Sequence, residues 1–185
     1  MSADAKKSGL VIAVLALWHL VVGSIVGLGD AEALYFAYAV RPAGGYLDHP
    51  PLIGWLIALS TGIFGDNPGA VRFVPTLCHA ITLVGAHVMA RDVFGSHRAG
   101  WYTVASLALI PMVTIGGIAA APDAPASALW IWTCVAIVRG FTAVRSPGQG
   151  EGVGVQRSLW LWAILIGAGI GVTFLAKYTG VLLVG

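Results

Sequence analysis

The sequence predicts an all-α protein, a polytopic bundle of transmembrane helices with interfacial helices in its first outer loop. Three observations support this fold class. Hydrophobic residues make up 58% of the 185 positions and charged residues only 10%, with a mean hydropathy of +0.87, which is far from the balance of a soluble domain. Several apolar stretches reach the roughly 20 residues that cross a bilayer. Basic residues are distributed unequally between alternate loops, as the positive-inside rule describes.

Charge and cysteine content exclude other classes. The formal net charge is +2 and the Lys and Arg residues are scattered, so there is no basic face for nucleic acid. Cys78 and Cys134 both lie in apolar stretches, and we expect structural thiols rather than a disulfide or a Cys-x-x-Cys metal site. His79 and His87 are too far apart for an i, i+4 ligand pair, so we assign no metal site. No cofactor is indicated, and any requirement for a divalent metal is left open.

The first predicted span, residues 9–29, follows Lys6 and Lys7 and contains no charged residue. A cleaved signal peptide also has a basic start, but this stretch is longer than a typical signal core and ends without an Ala-x-Ala-like site. Further spans are predicted at residues 73–90, 99–121, 124–142 and 158–176. The result is a single transmembrane domain over residues 1–185, with an outer loop over residues 30–72.

Residues 51–64 are apolar but too short to span, and we predict an interfacial or re-entrant helix there. The basic residues support this prediction. If the stretch does not cross, the N-terminal side of the membrane holds Lys6, Lys7, Arg91, Arg98, Arg139, Arg145 and Arg157, and the other side holds Arg41, Arg72 and Lys177. This bias places the N-terminus in the cytoplasm. The Gly-rich segment 143–157 is then a flexible inner connector.

Most of the acidic residues fall on the outer face. They are Asp30, Glu32, Asp48, Asp66 and Asp123, whereas Asp4, Asp92 and Glu151 fall inside. Asp30 and Glu32 begin a predicted short helix, and a helix-capping role is one interpretation of them because acids in a first turn suit the helix dipole. The same helix would present Leu34, Tyr35 and Tyr38 to the lipid headgroups.

The segment YLDHPPLIGWL places an acid and an imidazole immediately before the predicted surface helix. Pro50 and Pro51 favour extended backbone in the residues that precede them, so Asp48 and His49 would be held in a stiff, extended segment. A plain helix start explains the same residues equally well, because Asp at the N-cap and Pro at the first helical position are common.

Two other charged residues lie at outer ends of predicted spans. Lys177, in FLAKYTGVLL, is a cation between apolar runs, which must snorkel, pair or meet an anion. Snorkelling is the commoner explanation for a single lysine near a helix end. Asp123, in the turn PDAP, is either a helix cap, the somewhat favoured interpretation, or a contributor to an outer cavity.

Taken together and in order, the motifs GDAEALYFAY, GYLDHPPLIGWL, FGDNPGAVRFVP, APDAPASALWIW and FLAKYTGVLL resemble the N-terminal part of a superfamily of membrane glycosyltransferases. That superfamily includes the protein O-mannosyltransferases and the lipid A aminoarabinose transferases, has the GT-C type fold, and takes its sugars from polyprenyl phosphates. The likeness covers nearly the whole chain from Gly29 onward. It implies an enzyme of the bacterial inner membrane that transfers a sugar at the outer face, with inversion, to a lipid, glycan or protein acceptor.

The resemblance also implies residue roles. The expected catalytic acids are Asp30, Asp48 and Glu32, and the expected ligands of the donor phosphate are Lys177, His49 and Arg72. Asp30 would be the general base and Asp48 a second carboxylate. The family commonly has adjacent Asp and Glu in its first motif, whereas Ala31 separates Asp30 from Glu32 here, so either acid could be the base.

Transfer from a phosphate requires a base near the incoming hydroxyl or amine, and positive charge near the leaving group. A general acid is not required, because phosphate is already a weak base. Spacing alone leaves open a double displacement through a carboxylate nucleophile. Family members continue through further spans, so we expect this chain to be an N-terminal part.

Two other functions compete with the enzyme. One is a non-catalytic, shortened relative that packs as a subunit of a larger membrane complex through its small-residue helix faces. The other is half of a transporter or flippase. We rank the transporter last, because we find neither an internal repeat nor an ionisable group placed near the bilayer midplane.

Overall fold

The computed structural model describes residues 2–145 and 153–183. Within these ranges the chain forms α1 (Ala3–Ile25), α2 (Asp30–Val40), α3 (Leu52–Phe64), α4 (Pro68–Phe94), α5 (His97–Ala108), α6 (Pro111–Gly116), α7 (Asp123–Arg145), α8 (Val153–Ala176) and a final 3-10 turn (Tyr178–Leu183). The prediction of an all-α bundle is confirmed. Most of the predicted connector 143–157 lies outside the described residues.

Within residues 2–145 and 153–183, four helices are long and apolar enough to cross a membrane. They are α1, α4, residues 123–143 of α7 and residues 159–176 of α8, and they correspond to four of the five predicted spans. In α4, 56% of the apolar window is buried inside the bundle, against 17% in α1. Helix α4 is therefore the central helix, and it packs against α1, α5 and α7.

The predicted span 99–121 consists of two short helices instead of one. Helix α6 begins at Pro111, and Ile110 before it has extended backbone (φ −85°, ψ 113°), because a residue that precedes proline disfavours the helical region. The segment still joins the two ends of the bundle, since His97 contacts the C-terminal part of α4 and Ala120 contacts the start of α2. The prediction of one continuous helix here is wrong.

Helices α2 and α3 lie together at one end of the bundle, which we call the α2 end. There the C-terminal ends of α1 and α8 meet the N-terminal ends of α4 and α7. Helix α3 buries Ile53 and Ile57 while Trp55 and Leu59 are exposed, and its 13 residues extend only about 20 Å. It is thus a short apolar helix, too short to span a membrane, at the position predicted for residues 51–64.

The tyrosines of α2 are placed differently from the prediction. Helix α3 covers one face of α2, so that Tyr35 is only 7% exposed and belongs to the core with Ile53. Tyr38 stacks on Tyr46, with ring centroids 3.8 Å apart. The prediction that Tyr35 faces the headgroups is wrong, whereas Leu34 is exposed and Tyr38 is half-buried.

Candidate active site

A buried ion pair between Arg72 of α4 and Glu32 of α2 organises the α2 end. The Nη2–Oε2 distance is 2.5 Å and the Nε–Oε1 distance is 2.8 Å. Arg72 also donates to the carbonyl oxygens of Gly23, Val26 and Gly27, where α1 ends. These contacts use all five N–H donors of the guanidinium group. In this structure Arg72 therefore joins the end of α1 to the start of α2, with all of its donors in use, and its predicted role at the donor phosphate stays a prediction.

Glu32 is equally occupied. Besides Arg72, its oxygens accept hydrogen bonds from the backbone N–H groups of Gly29 (2.9 Å) and Ala120 (3.1 Å). Burial acts to raise the pKa of Glu32, but the hydrogen bonds from Arg72, Gly29 and Ala120 outweigh it and hold this pKa below its ordinary value. Glu32 is thus an ionised structural carboxylate that caps the start of α2, which suits it poorly to act as a base.

Asp30 has the opposite environment. It is the first residue of α2 and is exposed, and its carboxylate makes no hydrogen bond to any residue in the described ranges. The backbone on both sides of it is fixed, because Arg72 holds the carbonyls of Val26 and Gly27 and Glu32 holds α2. An accessible carboxylate on a fixed backbone is what a general base requires.

The segment that carries Asp48 and His49 is held by Tyr46. The Tyr46 hydroxyl accepts a hydrogen bond from the N–H of Ala43 (3.1 Å) and donates one to the carbonyl of Tyr38 (2.8 Å). Helix α3 has Pro51 as its N-cap and no side-chain cap. Asp48 is therefore an exposed residue of the preceding segment, and the alternative in which it caps the helix is not observed.

Tyr35 connects parts of the site that are distant in sequence. Its hydroxyl lies 3.1 Å from Nε2 of His49. Burial raises the pKa of Tyr35, and the charges of Tyr38, Asp123 and Asp48 raise it further. The sequence did not single out Tyr35 as a site residue. The available signal was its position three residues after Glu32, on the same face of α2.

Lys177 and Asp123 form an ion pair between the end of α8 and the start of α7. The Nζ–Oδ1 distance is 2.5 Å, and the side chains are 34% and 68% exposed. Lys177 is thus paired, which is one of the alternatives that the sequence left open. An ion pair this exposed contributes only about 0–1 kcal/mol to stability. An anionic ligand can therefore displace Asp123 from Lys177 at little energetic cost.

The predicted site residues therefore lie at one end of the bundle in separate groups. Glu32 pairs with Arg72, His49 contacts Tyr35, and Lys177 pairs with a residue outside the predicted set. Asp30 and Asp48 are exposed, and neither has a hydrogen-bonding partner within residues 2–145 and 153–183.

An α-helical membrane bundle of this topology has the GT-C type fold, as shown by its likeness to the crystal structure of ArnT from Cupriavidus metallidurans in the apo state. The TM-score is 0.74 at 20% sequence identity, over 97% of this chain and 34% of that chain. Residues 48–185 match the family of dolichyl-phosphate-mannose-protein mannosyltransferases, and the chain belongs to this family.

A curated relative is the lipid A galacturonosyltransferase RgtD of Rhizobium johnstonii. It is 28% identical over 184 aligned residues, which cover 94% of this chain and 34% of RgtD. The chain thus spans about a third of the length of the relatives it matches. The family resemblance that the ordered motifs indicated is confirmed.

Proposed function

We propose that this chain forms part of a membrane glycosyltransferase that moves a sugar from a polyprenyl phosphate to an acceptor at the outer face, with inversion. The observation that carries the proposal is the placement of Asp30, Asp48, Asp123 and Lys177 at one end of a membrane bundle, although they come from four parts of the chain. Membership of a family named for a dolichyl phosphate sugar supports the donor class. The name of RgtD makes lipid A the first acceptor to test.

In the proposed reaction, Asp30 accepts the proton of the acceptor's hydroxyl or amine as that group attacks the anomeric carbon. The bond between the anomeric carbon and the phosphate oxygen breaks, and the phosphate leaves with the bonding electrons. Lys177, released from Asp123, stabilises the negative charge that develops on the phosphate. His49, whose Nε2 lies 3.1 Å from the Tyr35 hydroxyl, and the preceding Asp48 would contact the sugar or the phosphate.

The proposed orientation has the N-terminus in the cytoplasm of a bacterial cell and the α2 end at the outer face of its inner membrane. The distribution of charge in the bundle supports this. Lys6 and Lys7 lie at the end opposite α2, and there Asp92 bridges Arg91 and Arg139. An excess of basic residues at that end agrees with the positive-inside rule. A polyprenyl chain would stay in the hydrocarbon while its phosphate meets Lys177 at headgroup level.

The donor-binding role of Lys177 is tested by Lys177→Ala in the full-length protein. A hydrogen bond to a charged group contributes about 1.5–3 kcal/mol, so the Kd for a polyprenyl phosphate is expected to rise about ten- to a hundredfold. Equilibrium binding in detergent micelles measures the change. Lys177→Arg should retain most of the affinity.

Lys7→Ala, which removes a lysine at the opposite end of the bundle, is the matched control and should leave the Kd unchanged. Equal donor affinity in wild type and Lys177→Ala would show that Lys177 does not bind the donor and is only a structural partner of Asp123.

A further inference from the structure

The segment that joins α6 to α7, residues 117–122, is buried in the bundle, and we call it the α6–α7 connection. Ala120 is only 1% exposed and Pro122 is almost completely buried, whereas a connection between helices ordinarily runs over the surface. The N–H of Ala120 donates to Oε1 of Glu32 (3.1 Å). The α6–α7 connection therefore contacts α2 two residues from Asp30.

The first residue of this connection, Gly117, passes between two imidazole rings. A Cβ at this position would lie 2.3 Å from Cε1 of His19 and 2.8 Å from Nδ1 of His79, separations that real Cβ atoms essentially never show. His19 belongs to α1 and His79 to α4, and their ring centroids are 5.0 Å apart. The passage between the rings therefore admits backbone but no side chain.

The two rings have little room to move aside. His19 is 0% exposed and His79 is more than nine-tenths buried. Both ring nitrogens of His19 and Nε2 of His79 have no hydrogen-bond partner in the described part of the chain, so packing sets the positions of the rings. The carbonyl of Gly117 accepts a hydrogen bond from Oγ1 of Thr76 (3.1 Å). Steric contact with both rings and one hydrogen bond thus hold the backbone at Gly117.

A displacement at Gly117 has a short path to Glu32. Ala120 follows Gly117 by three residues, which extend at most about 11 Å. The N–H of Ala119 also donates to the carbonyl of Ile115 (3.0 Å), so this stretch of backbone has little slack. A shift of Gly117 would therefore move the N–H of Ala120 away from the Glu32 carboxylate.

We propose that Gly117 is a positioning residue for the candidate active site, because it brings the N–H of Ala120 to Glu32 and so fixes the start of α2 that carries Asp30. Glycine is required because only backbone fits between the two rings. The effect on Asp30 rests on the proposed sugar transfer, whereas the effect on Glu32 does not. Each effect has its own measurement.

Gly117→Ala in the full-length protein is expected to lower the rate of sugar transfer roughly tenfold to a hundredfold, since a misplacement of about 1 Å in a positioned group costs as much. The Kd for a polyprenyl phosphate should stay at the wild-type value, because Lys177 and Asp123 belong to the end of α8 and the start of α7. Initial rates at saturating donor and acceptor, together with equilibrium binding, separate the two quantities.

The second measurement is the dependence of stability on pH, which needs no sugar transfer. The N–H of Ala120 is one of the groups that hold the pKa of Glu32 below its ordinary value, so displacing it raises this pKa. A carboxylate with a lowered folded pKa loses its stabilisation as pH falls through that pKa, and a smaller shift means a smaller loss. The free energy of unfolding of Gly117→Ala should therefore fall less steeply than that of wild type below about pH 4.

Gly85→Ala is the matched control. A Cβ at Gly85 would lie 2.7 Å from Cγ2 of Ile131, a comparable clash between α4 and α7 that does not involve the α6–α7 connection. This variant should lower stability but leave the pH dependence and the rate of transfer unchanged.

The double variant His19→Ala with Gly117→Ala tests the steric cause. Removing the imidazole of His19 makes space for the new Cβ and lets the ring of His79 move away from it. Most of the lost transfer should return, and the pH dependence should return toward that of wild type.

An unchanged pH dependence in Gly117→Ala, transfer by this variant at the wild-type rate, or a double variant no better than Gly117→Ala would overturn the proposal. If Gly117→Ala does not fold, Thr76→Val removes the hydrogen bond to Gly117 and should change both quantities in the same direction by smaller amounts, and wild-type values would refute the role. A changed pH dependence in Gly117→Ala, with no sugar transfer by wild type, would refute the proposed function and support the placement of Glu32 by Gly117.

Discussion

Replacing Asp30 by Asn in the full-length protein is expected to lower sugar transfer by about 10²–10⁴-fold, the usual contribution of a general base. Asn has the shape of Asp but cannot accept the acceptor's proton. Because Asp30 is exposed and makes no hydrogen bond within the described ranges, the change should not disturb folding or donor binding. Initial rates at saturating donor, together with the Kd for the donor, measure the effect.

The matched control is Asp66→Asn, which removes another exposed acid at the α2 end that is not among the candidate site residues. It should change stability by less than about 0.5 kcal/mol and leave the rate of transfer unchanged. Glu32→Gln should instead lower the yield of folded protein. If Asp30→Asn turns over at the wild-type rate, Asp30 is not the general base.

Arg72→Met is expected to destabilise the bundle by about 3–5 kcal/mol, because removing one partner leaves the other charge buried and unpaired. The variant also leaves the carbonyls of Gly23, Val26 and Gly27 without their donor. Arg72→Lys should recover only part of the loss, since an ammonium has three donors in place of five. Thermal unfolding in detergent measures these differences.

Arg41→Met is the control, because the Arg41 side chain at the same end forms no ion pair in the described ranges, and its effect should be within about 0.5 kcal/mol. The double variant Arg72→Met with Glu32→Gln should be less destabilised than the sum of the two single variants, because the pair is removed together. Strict additivity would show that the two side chains are not coupled.

The Glu32 pair also makes stability depend on pH. The pKa of Glu32 in the folded protein is below its ordinary value, which is about 4.3. Its contribution to the free energy of unfolding is therefore complete above the ordinary pKa, and is lost as pH falls toward the folded pKa. Glu32→Gln should weaken this part of the acid dependence.

Much of the fold could be predicted because the signals are local. Span length and the absence of charge define α1, α4, α7 and α8, and the short apolar run of residues 51–64 defines α3. Pro111 could have indicated the break between α5 and α6. It lies in a continuous apolar stretch, however, and such a stretch is typical of a single span. The burial of Tyr35 was not predictable from α2, since it depends on α3 lying across that face.

The sequence indicated which residue types form the candidate site, but it did not indicate which of their side chains form ion pairs with one another. Glu32 and Arg72 are 40 residues apart and Lys177 and Asp123 are 54 apart, and no local pattern joins such residues. One physical signal was available. An arginine in the first turns of an apolar span needs a buried anion, and only an acid from another outer segment could supply it. That argument would have given Arg72 a structural role.

The central claim is tested most directly by assaying the full-length protein with a panel of polyprenyl phosphate sugars and labelled lipid A as acceptor. We expect at least one of these donors to deliver its sugar to the lipid, and the Asp30→Asn variant to lose that transfer. No transfer from any polyprenyl phosphate sugar, with transfer from a nucleotide sugar under the same conditions, would contradict the account.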